Sequence, residues 1–195
     1  MYSYRIEQAI RAAMVLHKDQ VRKGEFPLPY STHLIAVAFL LGDYTENEDV
    51  IIAALLHDTL EDTDYTAAEL KEDFGEIVAA IVETVTEPPK SESWVERKKQ
   101  YEKQLDKGST EALLVACADK IHNMRSATEE YYTDHVRFMH DFGGKLDERM
   151  VHYQRMSNLF NRKLENDIVH EFNHVFTEYK NFIEHVIRTQ KNATL

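Results

Sequence analysis

Apolar residues recur along most of the chain at spacings of three and four, the period of an amphipathic α-helix. Strand-like alternation is nearly absent. The pattern predicts helices over residues 3–23, 31–41, 48–62, 66–74, 76–86, 94–107, 110–127, 135–142, 145–164 and 168–190. The expected fold class is therefore all-α. Because neither an internal repeat nor a second boundary is visible, we expect one domain over residues 1–195.

Local signals mark several of the predicted helix ends. Asn47 is suited to cap the third helix. Thr66 followed by Glu69 is the pattern of a capping box, and Gly75 ends the short helix that this box begins. The stretch 24–30 contains two prolines and predicts a break before the second helix.

The last predicted helix carries a long apolar stripe. Its members are Ile168, Phe172, Val175, Tyr179, Phe182 and Val186. The favoured interpretation is packing against the helix's own domain. The alternative is a homodimer formed through the C-terminal helices, since a partner subunit can complete such a stripe.

Composition narrows the class of protein. Charged residues make up 29% and apolar residues 43% of the chain, as in ordinary globular proteins. A net charge of -11 argues against nucleic acid as a partner. No apolar run is long enough for a membrane span, and the N-terminus lacks a signal-peptide pattern. The single cysteine, Cys117, fits a reducing compartment, so we expect a cytoplasmic location.

Candidate chemistry centres on adjacent His57 and Asp58 in ALLHDTLED (54–62). His33 lies at the head of the second predicted helix, and Asp119 lies in ACADKIHNMR (116–125). Two imidazoles and two carboxylates form a mixed donor set suited to a divalent metal of intermediate hardness. A metal held in this way makes a water molecule nucleophilic at neutral pH.

A purely structural role competes with this interpretation, because a single buried polar residue usually has an ordinary hydrogen-bonding partner. Glu61 and Asp62 change the balance, since they follow Asp58 at helical spacings of three and four. Acidic groups at the end of a helix are disfavoured by its dipole, and burying them requires a cation. The cluster therefore favours a metal site.

A second pattern, His170-Glu171-Phe172-Asn173-His174, matches the zinc-protease motif H-E-x-x-H. The extended form of that motif fails, because Thr177 and Lys180 replace its glycine and its third histidine. We reject a protease site here and expect both imidazoles to lie partly exposed beside the apolar stripe.

The order His33, His57-Asp58, Asp119 resembles the H…HD…D pattern of the HD superfamily of metal-dependent phosphohydrolases. Four blocks of sequence more specifically resemble, in order and spacing, those of the alarmone hydrolases, which remove the 3′-pyrophosphate from guanosine tetra- and pentaphosphate. The blocks are HKDQVRKGEFPLPYSTH (17–33), ALLHDTLEDTD (54–64), VTEPPK (85–90) and ADKIHNMRS (118–126). The resemblance covers about residues 5–127 and implies an HD-type helical bundle. The helices at about 133–190 are then additional, and their role is unassigned.

The resemblance also implies the roles of individual residues. One divalent ion, manganese in this family with iron, cobalt, nickel or zinc as alternatives, would be bound by His33, His57, Asp58 and Asp119. The catalytic acidic pair would be Glu61 and Asp62. The nucleotide substrate would contact Arg22, Lys23, Tyr30 and Asn123. Further candidate cations for phosphate oxygens are Lys90, Arg97, Lys98, Lys120 and Arg125.

Two departures from the family's pattern bear on the substrate. Leu34 follows the first ligand where the family usually has proline, and Glu87-Pro88-Pro89 replaces the usual acidic pair after Val-Thr. The leading hypothesis is hydrolysis of guanosine tetraphosphate to GDP and pyrophosphate. One alternative is a phosphatase acting on the 2′-phosphate of NADPH or on a nucleoside monophosphate. The other is a non-catalytic nucleotide sensor.

Overall fold

The computed structural model describes residues 3–22, 27–89, 93–142 and 146–193. These ranges hold eleven helices and no β-sheet, apart from one antiparallel bridge between Val21 and Pro29. The helices are α1 (Tyr4–Leu16), α2 (Ser31–Gly42), α3 (Glu48–Leu56), α4 (Thr59–Asp62), α5 (Ala67–Phe74), α6 (Glu76–Val85), α7 (Trp94–Asp106), α8 (Thr110–Thr133), α9 (His135–Phe142), α10 (Leu146–Lys163) and α11 (Ile168–Ala193). The predicted all-α class is confirmed.

The helix ends predicted at Asn47, Thr66 and Gly75 agree with the structure. The Asn47 side chain accepts a hydrogen bond from the backbone N–H of Asp49 at the start of α3. Thr66 and Glu69 form both bonds of the capping box on α5. Gly75 ends α5 with φ at 93°, a left-handed value that favours glycine.

Two predicted helices are interrupted. The first ends at Leu16 rather than near residue 23, because residues 20–22 instead pair with residues 28–30. In that pairing the Arg22 N–H donates to the Leu28 carbonyl oxygen at 2.8 Å. The predicted helix 48–62 is broken at His57 and Asp58, so that α3 and α4 are separate. Both breaks lie beside the residues that matter for chemistry.

Helix α3 is the centre of the packing. Every residue from Val50 to Leu56 is buried, which fits a helix that is apolar on all sides. Helices α1, α2, α6 and α8 pack around it. Because α3 is enclosed, its C-terminal end lies inside the protein, and the residues that follow it are held below the surface.

The apolar stripe of α11 is buried against α8 and α10 of the same chain. The Phe172 and Phe160 rings, for example, lie 5.0 Å apart between centroids. The interpretation of this stripe as intrachain packing is confirmed, so it offers no support for the predicted homodimer. One apolar core extends from Ile6 on α1 to Val186 on α11. In the described residues, no helix combines the length and apolarity that a membrane span requires.

We propose that the C-terminal helices belong to the same cooperative domain as the rest of the chain, and Phe172 tests this. Its side chain is fully buried, so Phe172→Ala should lower the free energy of unfolding by about 3–5 kcal/mol. Thermal and urea unfolding followed by circular dichroism would measure this. The matched control is Phe39→Ala, since Phe39 is 76% exposed. Two separate unfolding transitions, with only one moved by the substitution, would contradict the proposal.

Candidate active site

The break between α3 and α4 brings together the histidines and aspartates singled out in the sequence. His57 is the C-cap of α3, and Asp58 is the N-cap of α4. His33 lies in the first turn of α2, and Asp119 lies in the middle of α8. Three segments far apart in the chain, namely the start of α2, the break between α3 and α4 and the middle of α8, therefore converge at one buried point.

The distances among these four side chains are short. The Nε2 atoms of His33 and His57 lie 3.2 Å apart. Asp119 Oδ1 is 3.2 Å from His33 Nε2 and 3.7 Å from His57 Nε2. Asp58 Oδ2 is 3.3 Å from His57 Nε2 and 3.7 Å from His33 Nε2. In the described residues, His33, His57 and Asp58 have ligand atoms within 4.8 Å of one another, close enough to share one ion.

Neighbouring groups fix the orientation of three of these side chains. His57 Nδ1 donates to the Ala54 carbonyl oxygen at 2.7 Å, which leaves Nε2 to present its lone pair. The Tyr30 hydroxyl donates to Asp58 Oδ2 at 2.6 Å. Asn123 Nδ2 donates to Asp119 Oδ1 at 2.5 Å. Asn123 therefore orients a carboxylate, a contact that the resemblance did not predict.

The donor chemistry fits a divalent cation. Two ring nitrogens and two carboxylates point at each other in a region where three of the four residues are more than nine-tenths buried. Such a cluster repels itself unless a proton or a cation lies among its lone pairs. Mixed nitrogen and oxygen donors suit manganese, iron, cobalt, nickel or zinc rather than calcium or magnesium.

The pKa values of the metal-free cluster reflect a competition between burial and the neighbouring charges. Burial disfavours the charged imidazole of His57, but Asp58 and Asp119 outweigh it and raise the pKa of His57 to about 9. For His33 burial prevails, and its pKa is lowered. Burial also opposes ionisation of Asp119, yet the Lys120 ammonium, 2.6 Å from Oδ2, and the two histidines hold its pKa well below the usual range.

A cavity of about 430 Å³ opens beside this cluster. Its lining includes all the predicted catalytic and substrate residues in the described ranges, namely Arg22, Tyr30, Glu61, Asp62 and Asn123. The predicted substrate residue Lys23 and the candidate cation Lys90 lie outside the described residues.

Residues 17–22 are tied to the helix that carries the acidic pair. Gln20 Nε2 donates to the Asp62 carbonyl oxygen at 2.6 Å, and His17 Nδ1 lies 2.7 Å from Gln20 Oε1. The His17 ring stacks on Tyr30, with centroids 5.3 Å apart. The segment that carries Arg22 is thus fastened to the short helix that carries Glu61 and Asp62.

Two of the candidate cations reach the cavity and two do not. Lys98 and Lys120 line it, and both face the partly buried carboxylate of Glu87. Although burial favours the neutral acid, Lys120 and Lys98 lower the pKa of Glu87. Arg125 instead forms an ion pair with a residue of α11, and Arg97 is not part of the lining.

Part of the cavity lining comes from α9 and α10, to which the sequence assigned no role. Phe142 from α9 and Arg149, His152 and Tyr153 from α10 line it. The Arg149 guanidinium lies 4.7 Å from the Phe142 ring centroid and 5.9 Å from that of Trp94. Local sequence gave no signal for these residues, because only the return of α10 across α7 and α8 brings them to the cavity.

The protease-like motif on α11 takes no part in this site. His170 and His174 are exposed, and neither belongs to the group of potential metal ligands found among the described residues. Glu171, the would-be general base, is paired with Arg125. The rejection of a zinc-protease site agrees with this geometry.

Comparison with known proteins assigns the family. The HD domain family model matches residues 9–141, which is more than half of the chain. The chain belongs to the HD domain family. The match extends beyond the motif-bearing residues 5–127 into α9, and the predicted superfamily is confirmed.

Curated proteins are similar to this chain over about three fifths of its length. The MESH1 guanosine-3′,5′-bis(diphosphate) 3′-pyrophosphohydrolase of Danio rerio is 43% identical over 60% of this chain and 66% of its own length. The human MESH1 protein is 40% identical over 61% of this chain and 69% of its own length. The corresponding enzyme of Aquifex aeolicus is 40% identical, but the match spans only 17% of that longer protein.

Two solved structures have a similar overall fold. One, described as a metazoan orthologue of SpoT that hydrolyses ppGpp, has a TM-score of 0.75 at 28% identity and matches over 91% of this chain and 97% of its own. The other is a protein of Listeria monocytogenes EGD-e, with a TM-score of 0.64 at 31% identity over 84% and 99% of the two chains. The first match covers more of the chain than the four motif blocks do, so the C-terminal helices are also part of the similarity.

The raised pKa of His57 predicts how metal affinity depends on pH. A metal must displace the proton that this imidazole holds below about pH 9. The apparent affinity for Mn²⁺ should therefore fall about tenfold for each pH unit between about 8.5 and 7. Calorimetric titrations in buffers of different ionisation enthalpy would measure both the affinity and the released proton. An affinity that does not vary over this range would contradict the prediction.

We expect opposite effects on metal binding from substitutions in the buried cluster and in the protease-like motif. His57→Ala removes a nitrogen from the convergent cluster and should abolish tight Mn²⁺ binding. His170→Ala changes only an exposed ring on α11 and should leave binding unchanged. Equilibrium dialysis of both variants with the metal content measured by mass spectrometry would check this. The site is wrongly placed if His170→Ala loses the metal while His57→Ala keeps it.

Proposed function

We propose that this HD domain protein hydrolyses the 3′-pyrophosphate of guanosine tetra- and pentaphosphate, releasing pyrophosphate and GDP or GTP. The observation that carries the proposal is the convergence of two imidazoles and two carboxylates at the edge of a cavity that also holds an acidic pair and several cations. The names of the relatives support the same reaction.

The proposed metal ligands are His33, His57, Asp58 and Asp119, with manganese as the preferred ion. When bound, a divalent ion there would polarise a phosphoryl oxygen and lower the pKa of water. The reaction joins a water oxygen to the phosphorus attached to the 3′ oxygen and breaks the bond between that phosphorus and the 3′ oxygen. The 3′ oxygen leaves with a proton.

Glu61 and Asp62 are proposed to move those protons. Both lie on α4, directly after the ligand Asp58, and both line the cavity. A carboxylate positioned beside the attacking water takes its proton, and the conjugate acid is a source of the proton for the leaving 3′ oxygen. The hydrogen bond from Gln20 to the Asp62 carbonyl oxygen holds this short helix in place.

The cavity also supplies positive charge for a strongly anionic substrate. Lys98, Lys120 and Arg149 line it, and such cations stabilise the charge that spreads over phosphoryl oxygens in the transition state. Arg22 lies over the Tyr30 ring at 5.6 Å and offers a planar face on which a nucleobase can stack. A protein with net charge -11 thus concentrates several of its cations at one cavity.

Several broader proposals accompany this function. Residues 1–195 are proposed to form one domain, in agreement with the continuous apolar core. The buried thiol of Cys117 is compatible with the cytoplasmic location proposed from composition. A small nucleotide is the proposed partner, and a homodimer through the C-terminal helices is a further proposal.

The deciding experiment is an anion-exchange assay of guanosine tetraphosphate with purified protein and Mn²⁺. We expect stoichiometric GDP and pyrophosphate. Asp58→Ala should lower turnover by at least about a thousandfold, because it removes both a proposed ligand and the carboxylate that Tyr30 orients. The matched control is Asp64→Ala, whose carboxylate is exposed, and it should retain full activity.

The products also separate the alternatives. Orthophosphate release from NADPH or from a nucleoside monophosphate, without turnover of guanosine tetraphosphate, would replace the proposed substrate but keep the site. Nucleotide binding without turnover of any of these compounds, with metal bound, would favour the sensor hypothesis and overturn the proposed reaction.

A further inference from the structure

His122 contacts the proposed metal ligand His33 at Nδ1, the ring nitrogen that faces away from the proposed metal position. It lies on α8, three residues after Asp119. Its Nδ1 atom is 2.9 Å from Nδ1 of His33, and the two ring centroids are 4.7 Å apart. His33 is itself 1% exposed, so no bulk water competes for this nitrogen.

Only one hydrogen fits between two ring nitrogens at this distance, so one imidazole must donate and the other must accept. His33 Nε2 faces His57 and Asp119 and needs its lone pair free to bind a metal. A neutral imidazole with a bare Nε2 carries its hydrogen on Nδ1. His33 therefore donates, and His122 accepts.

We infer that His122 is a positioning residue that fixes the tautomer and the ring orientation of His33 for metal binding. The inference rests on the proposed metal site. The usual partner of a metal-binding histidine is a carboxylate, a backbone carbonyl or water. His57 follows that rule through Ala54, whereas His33 uses another imidazole.

The arrangement constrains His122 in turn. Because its Nδ1 accepts, its own hydrogen lies on Nε2. Ser126, one turn further along α8, lies with Oγ 3.4 Å from the same Nδ1 atom. The backbone of one helix thus sets the position of Asp119 and of the group that orients His33, so that two of the four ligands depend on the position of α8.

Asparagine offers a matched test, since its Oδ1 lies at nearly the same distance from the backbone as histidine Nδ1 and accepts hydrogen bonds. His122→Ala should weaken Mn²⁺ binding about 10- to 100-fold. His122→Asn should restore most of the affinity. The control is His174→Ala, whose side chain is 68% exposed and which should bind as the unmodified protein does.

The readouts are the Mn²⁺ dissociation constant by calorimetry, the visible spectrum of the Co²⁺ form and the unfolding temperature of the metal-free protein. The inference predicts a weaker and spectrally altered site in His122→Ala, with normal metal-free stability and recovery in His122→Asn. Unchanged affinity in His122→Ala would overturn it. Equal loss in both variants would also overturn it, because the ring itself, rather than its acceptor, would then matter.

Failure of the proposed reaction is distinguishable from failure of this inference. If the protein binds Mn²⁺ with the expected pattern among the variants but does not hydrolyse guanosine tetraphosphate, the inference stands and the substrate proposal fails. If the unmodified protein binds no divalent metal, the ligand set is wrong and the inference falls with it.

Discussion

The attraction between buried imidazoles and carboxylates at the end of α3 is the interaction on which the rest of the site depends. His57 and Asp58 lie inside the protein because α3 is enclosed by other helices on every side. Charges at such depth are costly unless they are compensated. In the metal-free cluster, the protonated His57 imidazole and the Lys120 ammonium beside Asp119 supply that compensation. The same convergence of donor atoms that stabilises the buried cluster also suits it to bind a cation.

Much of this was predictable from sequence because the information is local. Helical period, capping residues and the His57-Asp58 pair all lie within short windows, and the structure brings the predicted ligands together. The break between α3 and α4 was not predicted, since apolar periodicity continues through it and only tertiary packing decides where the helix ends. The early end of α1 has a similar origin in the turn that follows it.

The cavity lining from α9 and α10 could not be predicted from the sequence. Arg149 and Phe142 are ordinary surface-type and core-type residues in their own helices, and only the packing of α9 and α10 places them on the cavity that the predicted ligands also line. Contacts over such distances in sequence leave no periodic trace. Asn123 and His122 are intermediate cases. Their motif was recognised, but their hydrogen bonds to Asp119 and His33 required coordinates.

The residues that line the cavity come from different parts of the chain. Residues before about 127 supply the proposed ligands and the acidic pair, and α9 and α10 add Phe142, Arg149, His152 and Tyr153 to the lining. The proposed reactive groups and part of the surface that would surround a substrate are therefore carried by separate segments of the chain. A chimera that exchanges α9 and α10 with those of another HD domain protein would keep the proposed ligands and the acidic pair. It would change the shape and the charge of the remaining part of the cavity.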